Sequence, residues 1–175
     1  MLVTRRQGRE WALQVLVQFD LVEPEAVDGA IAAFWEQQTE LEAEMIEEAY
    51  RETPPLFTST NPAVLEELAK MRAFAEERIR GVWFNRTALD DLITPYLENW
   101  SLYRLGTVER SALRLGAWEL QHCDIPAPIV INESVDLAKF FSTTKSGRFV
   151  NGILDRLGKQ LRAAPAGKDG ETFTP

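Results

Sequence analysis

Apolar residues recur at helical spacing through almost all of this 175-residue chain, and no alternating apolar–polar segment of more than about four residues interrupts them. Without a strand pattern there is no sheet to pack against. Each amphipathic helix must bury its apolar stripe on another helix, so the expected fold class is all-α. No internal repeat is present. Thr4 suits an N-cap, and Trp11, Val15, Leu16 and Phe19 then recur at helical period, which predicts a helix over 4–21 that stops before Pro24. Residues 25–52 predict one or two helices anchored by Ile31, Phe34, Trp35, Leu41 and Met45. The stretch 53–62 (TPPLFTSTNP) reads as a loop, and Asn61 before Pro62 reads as a cap followed by a first-turn proline. A helix follows to about Trp83, where Gly81 marks either a break or a close packing contact. Residues 85–100 continue helical, with a kink or restart at Pro95. A strong helix is predicted from Thr107 to about Gln121, with Val108, Ala112, Leu115 and Trp118 as its apolar stripe and Arg110 and Arg114 on the other face. Pro128 starts the next helix, through Phe141. Ser146 caps the last, from about Gly147 to Leu161. The tail 164–175 is expected to be disordered.

Composition removes several classes of function. No apolar run approaches the roughly 18 residues that a membrane span needs. The opening MLVTRR has two arginines and no apolar run behind them, so no secretory signal is expected. A single cysteine cannot form an internal disulfide, which fits a reducing, cytoplasmic setting. One histidine and one cysteine leave little material for a zinc site or a nucleophile–base pair. His122, Cys123 and Asp124 are adjacent, but helix neighbours do not face one another. The acidic doublets, Glu47–Glu48, Glu66–Glu67, Glu76–Glu77 and Asp90–Asp91, read as solvated helix surface. There is no phosphate-binding loop and no dinucleotide fingerprint. The expectation is a protein with no catalytic residue, metal or cofactor.

The net charge of -8 hides a division within the chain. Residues 23–52 carry ten acids and one base, whereas 101–163 carry nine bases and six acids. Two basic features stand out. Arg5, Arg6 and Arg9 cluster at the start of the first helix, where cations oppose the helix dipole, and arginine suits phosphates bidentately. In TTKSGRFVN, Lys145, Arg148 and the amides of a helix N-terminus can hold a phosphate near Ser146, while Phe149 can stack on a base or enter the core. Taken singly, each feature also has an ordinary reading, as a solvated arm and as a plain helix cap.

Three segments together resemble the NusB family of bacterial transcription antitermination factors. RRQGREWALQVLVQFDL is similar to its arginine-rich opening helix, and VERSALRLGAWEL to its central helix. IVINESVDLAKFFSTTKSGRFVNGILDRL resembles its C-terminal signature. The likeness covers residues 4–22 and 83–160. It implies an all-α fold of two small helical subdomains, here 1–100 with an acidic insertion at 23–62, and 101–163. It implies binding of boxA-type single-stranded RNA, pairing with the small-subunit ribosomal protein NusE, and assembly into an RNA polymerase antitermination complex on ribosomal RNA operons. Carried over by residue, Arg5, Arg6, Arg9, Lys145, Ser146, Arg148 and Phe149 fall in the RNA-contacting segments. Glu109 and Arg110 fall on the surface that meets the ribosomal protein.

The chain departs from the family pattern where Thr144 and Lys145 replace two usually acidic residues. It also departs at Pro128, in the long acidic segment 23–62, and in its extended tail. Two other readings compete. A NusB-like domain also opens certain rRNA cytosine methyltransferases, but no catalytic cysteine motif is present here. A homodimeric scaffold built on exposed apolar helix surface, with RNA binding lost, is the other.

Overall fold

A computed structural model describes residues 4–52, 62–98 and 100–163, without the side chains of 40–52, 62–64 and 163. The expectations for a disordered tail, for residues 53–61 of the loop read over 53–62, for the Asn61 cap and for core anchors at Leu41 and Met45 lie outside the described residues, and Pro62 is already helical. The described elements are seven α-helices: α1 Arg5–Leu21, α2 Val27–Glu52, α3 Pro62–Phe84, α4 Arg86–Ile93, α5 Thr107–His122, α6 Ala127–Phe141 and α7 Thr144–Ala163. Thr4 caps α1 as its sequence position suggests, its hydroxyl accepting the Gln7 N–H at 3.3 Å. Residues 27–52 form one helix. Pro95 ends α4 by converting the chain to a 3-10 turn over Thr94–Tyr96.

Two apolar clusters organise the helices. The first joins α1, α2 and α3 through Trp11, Val15, Phe19, Ile31, Phe34, Trp35, Ile79 and Trp83. Its aromatic rings meet edge to face, Trp11 on Trp35 and Phe19 on Trp83, both at 5.3 Å. The second takes in Leu13 and Leu16 of α1, Val82 of α3 and the apolar residues of α4 to α7. Helix α1 therefore belongs to both. Leu89, Ile93 and Leu97 lie in the second cluster, beside Leu102 and Leu113.

The axis of the second cluster is α5, and here the sequence reading needs correction. The helix has no polar face: every residue from Arg110 to Glu119 is buried. Arg110, expected on an outer face that meets a partner, turns inward. It pairs with Asp20 and donates to the carbonyls of Leu102 (3.3 Å) and Leu105 (3.2 Å). Arg114 forks onto both oxygens of Asp90 at 2.7 and 2.8 Å and reaches Asp20 at 2.8 Å. Burial works against the Arg114 charge, and Asp90 and Asp20 outweigh it. Asp90, read as solvated surface, is thus half of an internal ion pair. Gly81 marks no break. A methyl group there would overlap the Trp118 indole, so glycine is what lets α3 lie against α5.

Candidate nucleic-acid interface

The three N-terminal arginines part company. Arg5 and Arg6 occupy the first turn of α1 and are exposed. Arg6 spans Glu10 at 3.2 Å and Asp136 of α6 at 3.4 Å. Arg9 is 4% exposed, so the expectation of an exposed phosphate ligand fails there. Its Nε donates to Glu119 Oε2 at 3.0 Å and Oε1 at 3.1 Å. Arg78 of α3 reaches the same carboxylate at 2.6 Å, with its guanidinium 3.3 Å above the Phe74 ring centroid. Glu119, fully buried, thus bridges two cations from two helices. Arg9 lies on the i, i+3, i+4, i+7 track of Ala12, Leu13 and Leu16, which points it into the core. Beside this end of α1 runs an open groove of about 400 Å³, lined by Arg5, Arg6, Ile125, Ile129 and Glu133 among others.

The second basic segment begins earlier than its sequence suggests. Thr143, not Ser146, is the cap: its Oγ1 accepts the Ser146 N–H at 3.2 Å, and α7 starts at Thr144. Ser146 lies inside the first turn and is buried, so its hydroxyl is withdrawn from any phosphate outside. Lys145 and Arg148 are exposed. Phe149 is half-buried and packs on the second cluster.

Helix α6 joins the two basic ends. Arg6 meets Asp136, Lys139 meets the same carboxylate at 3.5 Å, and the Lys139 stem runs across Gly147, where an added methyl would lie 2.5 Å from Cγ. Exposed cations thus stand at the start of α1 (Arg5, Arg6), on α6 (Lys139) and at the start of α7 (Lys145, Arg148), with Asp136 paired to both Arg6 and Lys139. Lys139 was not singled out from sequence. Its signal was available, one turn from Asp136 on a helix whose apolar stripe excludes both.

Glu109 was expected to face a partner from the first turn of α5. Its Oε1 accepts the Ser142 hydroxyl at 2.8 Å and also the Ser146 hydroxyl. Burial alone would push this carboxyl up. The hydrogen bonds from Ser146, its own backbone N–H and Ser142 outweigh that and hold it below the ordinary glutamate value. A carboxyl depressed by folding stabilises the fold above its unfolded pKa and loses that contribution as pH falls through the folded value. The melting temperature of the wild-type protein should therefore drop on acidification below the ordinary glutamate range more than that of Glu109→Gln. Thermal melts across that range would show parallel curves if the carboxylate were not so held.

The adjacent His122, Cys123 and Asp124 are not assembled for chemistry. His122 lies against Trp118, with ring centroids 5.5 Å apart. Burial pushes the Cys123 thiol up, away from the thiolate that a nucleophile needs. Among the described residues no group of histidine, cysteine and carboxylate side chains is placed to hold a metal. Nor is any described helix long and apolar enough to cross a membrane.

Comparison with known proteins agrees with the architecture. The NusB family profile matches residues 6–159. The transcription antitermination protein NusB of Anaeromyxobacter dehalogenans is 34% identical over 94% of this chain and 96% of its own length. The solved NusB of Thermotoga maritima superimposes with a TM-score of 0.67 at 32% identity, covering 91% of this chain and 94% of that one. A crystal structure of antitermination factors NusB and NusE in complex with dsRNA gives a TM-score of 0.58 at 25% identity, covering 89% and 96%. A family profile that matches residues 6–159 and a relative 34% identical over nearly its whole length lead to one conclusion: the chain belongs to the NusB family.

Proposed function

We propose that this chain is an RNA-binding transcription antitermination factor that takes boxA-type single-stranded RNA together with ribosomal protein NusE. In that role it works in the cytoplasm, within an RNA polymerase antitermination complex, and supports processive ribosomal RNA synthesis. The observation that carries the reading is the set of exposed cations on α1, α6 and α7 of a NusB fold. Such a set neutralises phosphates at intervals along a strand, whereas a catalytic function would need convergent reactive groups, which these residues do not supply. Arg5, Arg6, Lys145 and Arg148 are the proposed phosphate ligands. The exposed part of Phe149 offers a surface for one base. Lys145 adds an exposed cation beside Arg148, which favours RNA binding by the free protein. We further infer that the NusE-facing surface begins at the first turn of α5, near Glu109, without Arg110, whose guanidinium is used internally.

The test is RNA titration of Arg5→Ala/Arg6→Ala with Arg9 left in place. Affinity should fall, and the slope of log affinity against log salt should flatten by ~0.7 for each lost phosphate contact. The melting temperature should hold within about 2 °C, because exposed cations contribute little to stability. An unchanged salt slope would remove these two arginines from the interface.

A further inference from the structure

Glu109 stands in the first turn of α5, but its carboxylate serves other parts of the chain. Oε1 takes the hydroxyls of Ser142, in the α6–α7 connection, and Ser146, in the first turn of α7. Oε2 fills the space beside Gly106, so that an added methyl there would overlap it. The carboxylate is thus wedged between the backbone entering α5 and the first turn of α7. Ser146 is the pivot of the arrangement. Its hydroxyl also lies 3.0 Å from Ser142 Oγ and 2.9 Å from Thr143 Oγ1, and Thr143 in turn caps the helix. Flanking this buried pivot are exposed Lys145 and Arg148, followed by half-buried Phe149.

We propose that Glu109 is a positioning residue for RNA: through Ser142 and Ser146 it sets the direction in which the first turn of α7 presents Lys145, Arg148 and Phe149. This rests on the RNA-binding reading above and adds to it a residue that acts on affinity without touching RNA. The physical ground is preorganisation. Two hydroxyls held on one acceptor oxygen pin the first turn of α7, and a segment held in its binding geometry loses less freedom when the ligand arrives. The rival account makes Glu109 a charge that faces only the protein partner. On that account its serine contacts are incidental to RNA. The same geometry bears on Glu109→Lys, which would break the serine contacts as well as reverse the charge, so RNA binding by the free protein would not be spared.

The experiment titrates a boxA-type single-stranded RNA against the full chain without its ribosomal-protein partner, well below each variant's melting temperature. Glu109→Ala and Ser146→Ala should lower affinity roughly three- to tenfold, with the salt slope unchanged because no phosphate contact is lost. Gly106→Ala should move affinity the same way. Its backbone conformation (φ -60°) accepts alanine, and the methyl displaces the Glu109 carboxylate without altering a charge. Glu109→Gln keeps an acceptor oxygen for both hydroxyls and should stay within about twofold of wild type. Hydrogen exchange without RNA supplies a second readout: amides 143–149 should exchange faster in the first three variants and not in Glu109→Gln. Wild-type affinity and exchange in Ser146→Ala and Gly106→Ala would overturn the proposal, as would equal losses in Glu109→Gln and Glu109→Ala. A wild-type chain that bound no RNA would overturn the functional reading itself, and this proposal with it.

Discussion

Glu119→Ala will destabilise the protein by about 3–5 kcal/mol, the cost of leaving a buried ion pair broken. For a chain of this size that is a melting temperature lower by roughly 6–20 °C. Three facts set the magnitude. Glu119 is completely buried, and its two cationic partners are nearly so, with the side chains of Arg9 and Arg78 only 5% and 3% exposed. Neither guanidinium can shed its proton to escape the loss. Their remaining carboxylates are less well placed: Glu133 stands 3.7 Å from Arg9, and Glu77 is largely in water. The triple replacement Arg9→Met, Arg78→Met, Glu119→Leu removes all three charges together and should recover most of the loss. Differential scanning calorimetry of the single and triple variants decides it. A single variant melting within about 2 °C of wild type would mean that the two arginines find water or other partners without cost.

Gly81→Ala is the second large effect and acts through shape alone. Alanine favours a helix interior over glycine by about 1 kcal/mol, so a surface site would gain. At Gly81 the new methyl meets the rigid indole of Trp118, which is itself 7% exposed and held in the second core. To accommodate it, α3 must withdraw from α5, and overpacking of this kind costs about 1–3 kcal/mol net. Gly152 supplies the contrast. It lies in α7 with open space where its methyl would go, so Gly152→Ala should stabilise by about 0.5–1 kcal/mol. Denaturant midpoints moving in opposite directions for the two variants confirm the reading. A stabilised Gly81→Ala would show that the helix contact is slack.

How far the sequence could be read depends on which physical signal each feature carries. Helix period is local, so α1 and α5 to α7 were visible with their ends displaced by only a few residues. Proline chemistry placed the start of α3, whereas the helix expected to continue to residue 100 with a kink or restart at Pro95 stops as an α-helix at Ile93. Burial of charge is not local, because a guanidinium enters a core only if a carboxylate from another helix meets it. That is why Arg9, Arg110 and Arg114 looked like surface. The clue lay in position rather than residue type. Glu119 follows Ala112 and Leu115 at helical spacing, a carboxylate on the apolar track, and Arg9 precedes Ala12, Leu13 and Leu16 in the same way. Ser146 was misplaced for a different reason. Thr143 and Ser146 are both good caps, and sequence alone does not say which hydroxyl meets the amide and which meets Glu109. The meeting of cations from α1 and α6 on one carboxylate needs the fold, since Arg6 and Asp136 meet only when α1 and α6 pack.

Helix α1 contributes Trp11, Val15 and Phe19 to one apolar cluster and Leu13 and Leu16 to the other. A wall shared by two rooms cannot be taken down for one of them. Fraying of α2 and α3 away from α1 would strip one side of a helix whose opposite side still holds the second cluster, and would also free Arg78 from Glu119. The two clusters should consequently melt as one cooperative unit, with calorimetric and van't Hoff enthalpies equal and tryptophan fluorescence tracking helix content through a single transition. The surface that displays the cations is then as persistent as the molecule itself, and persists until the whole fold gives way.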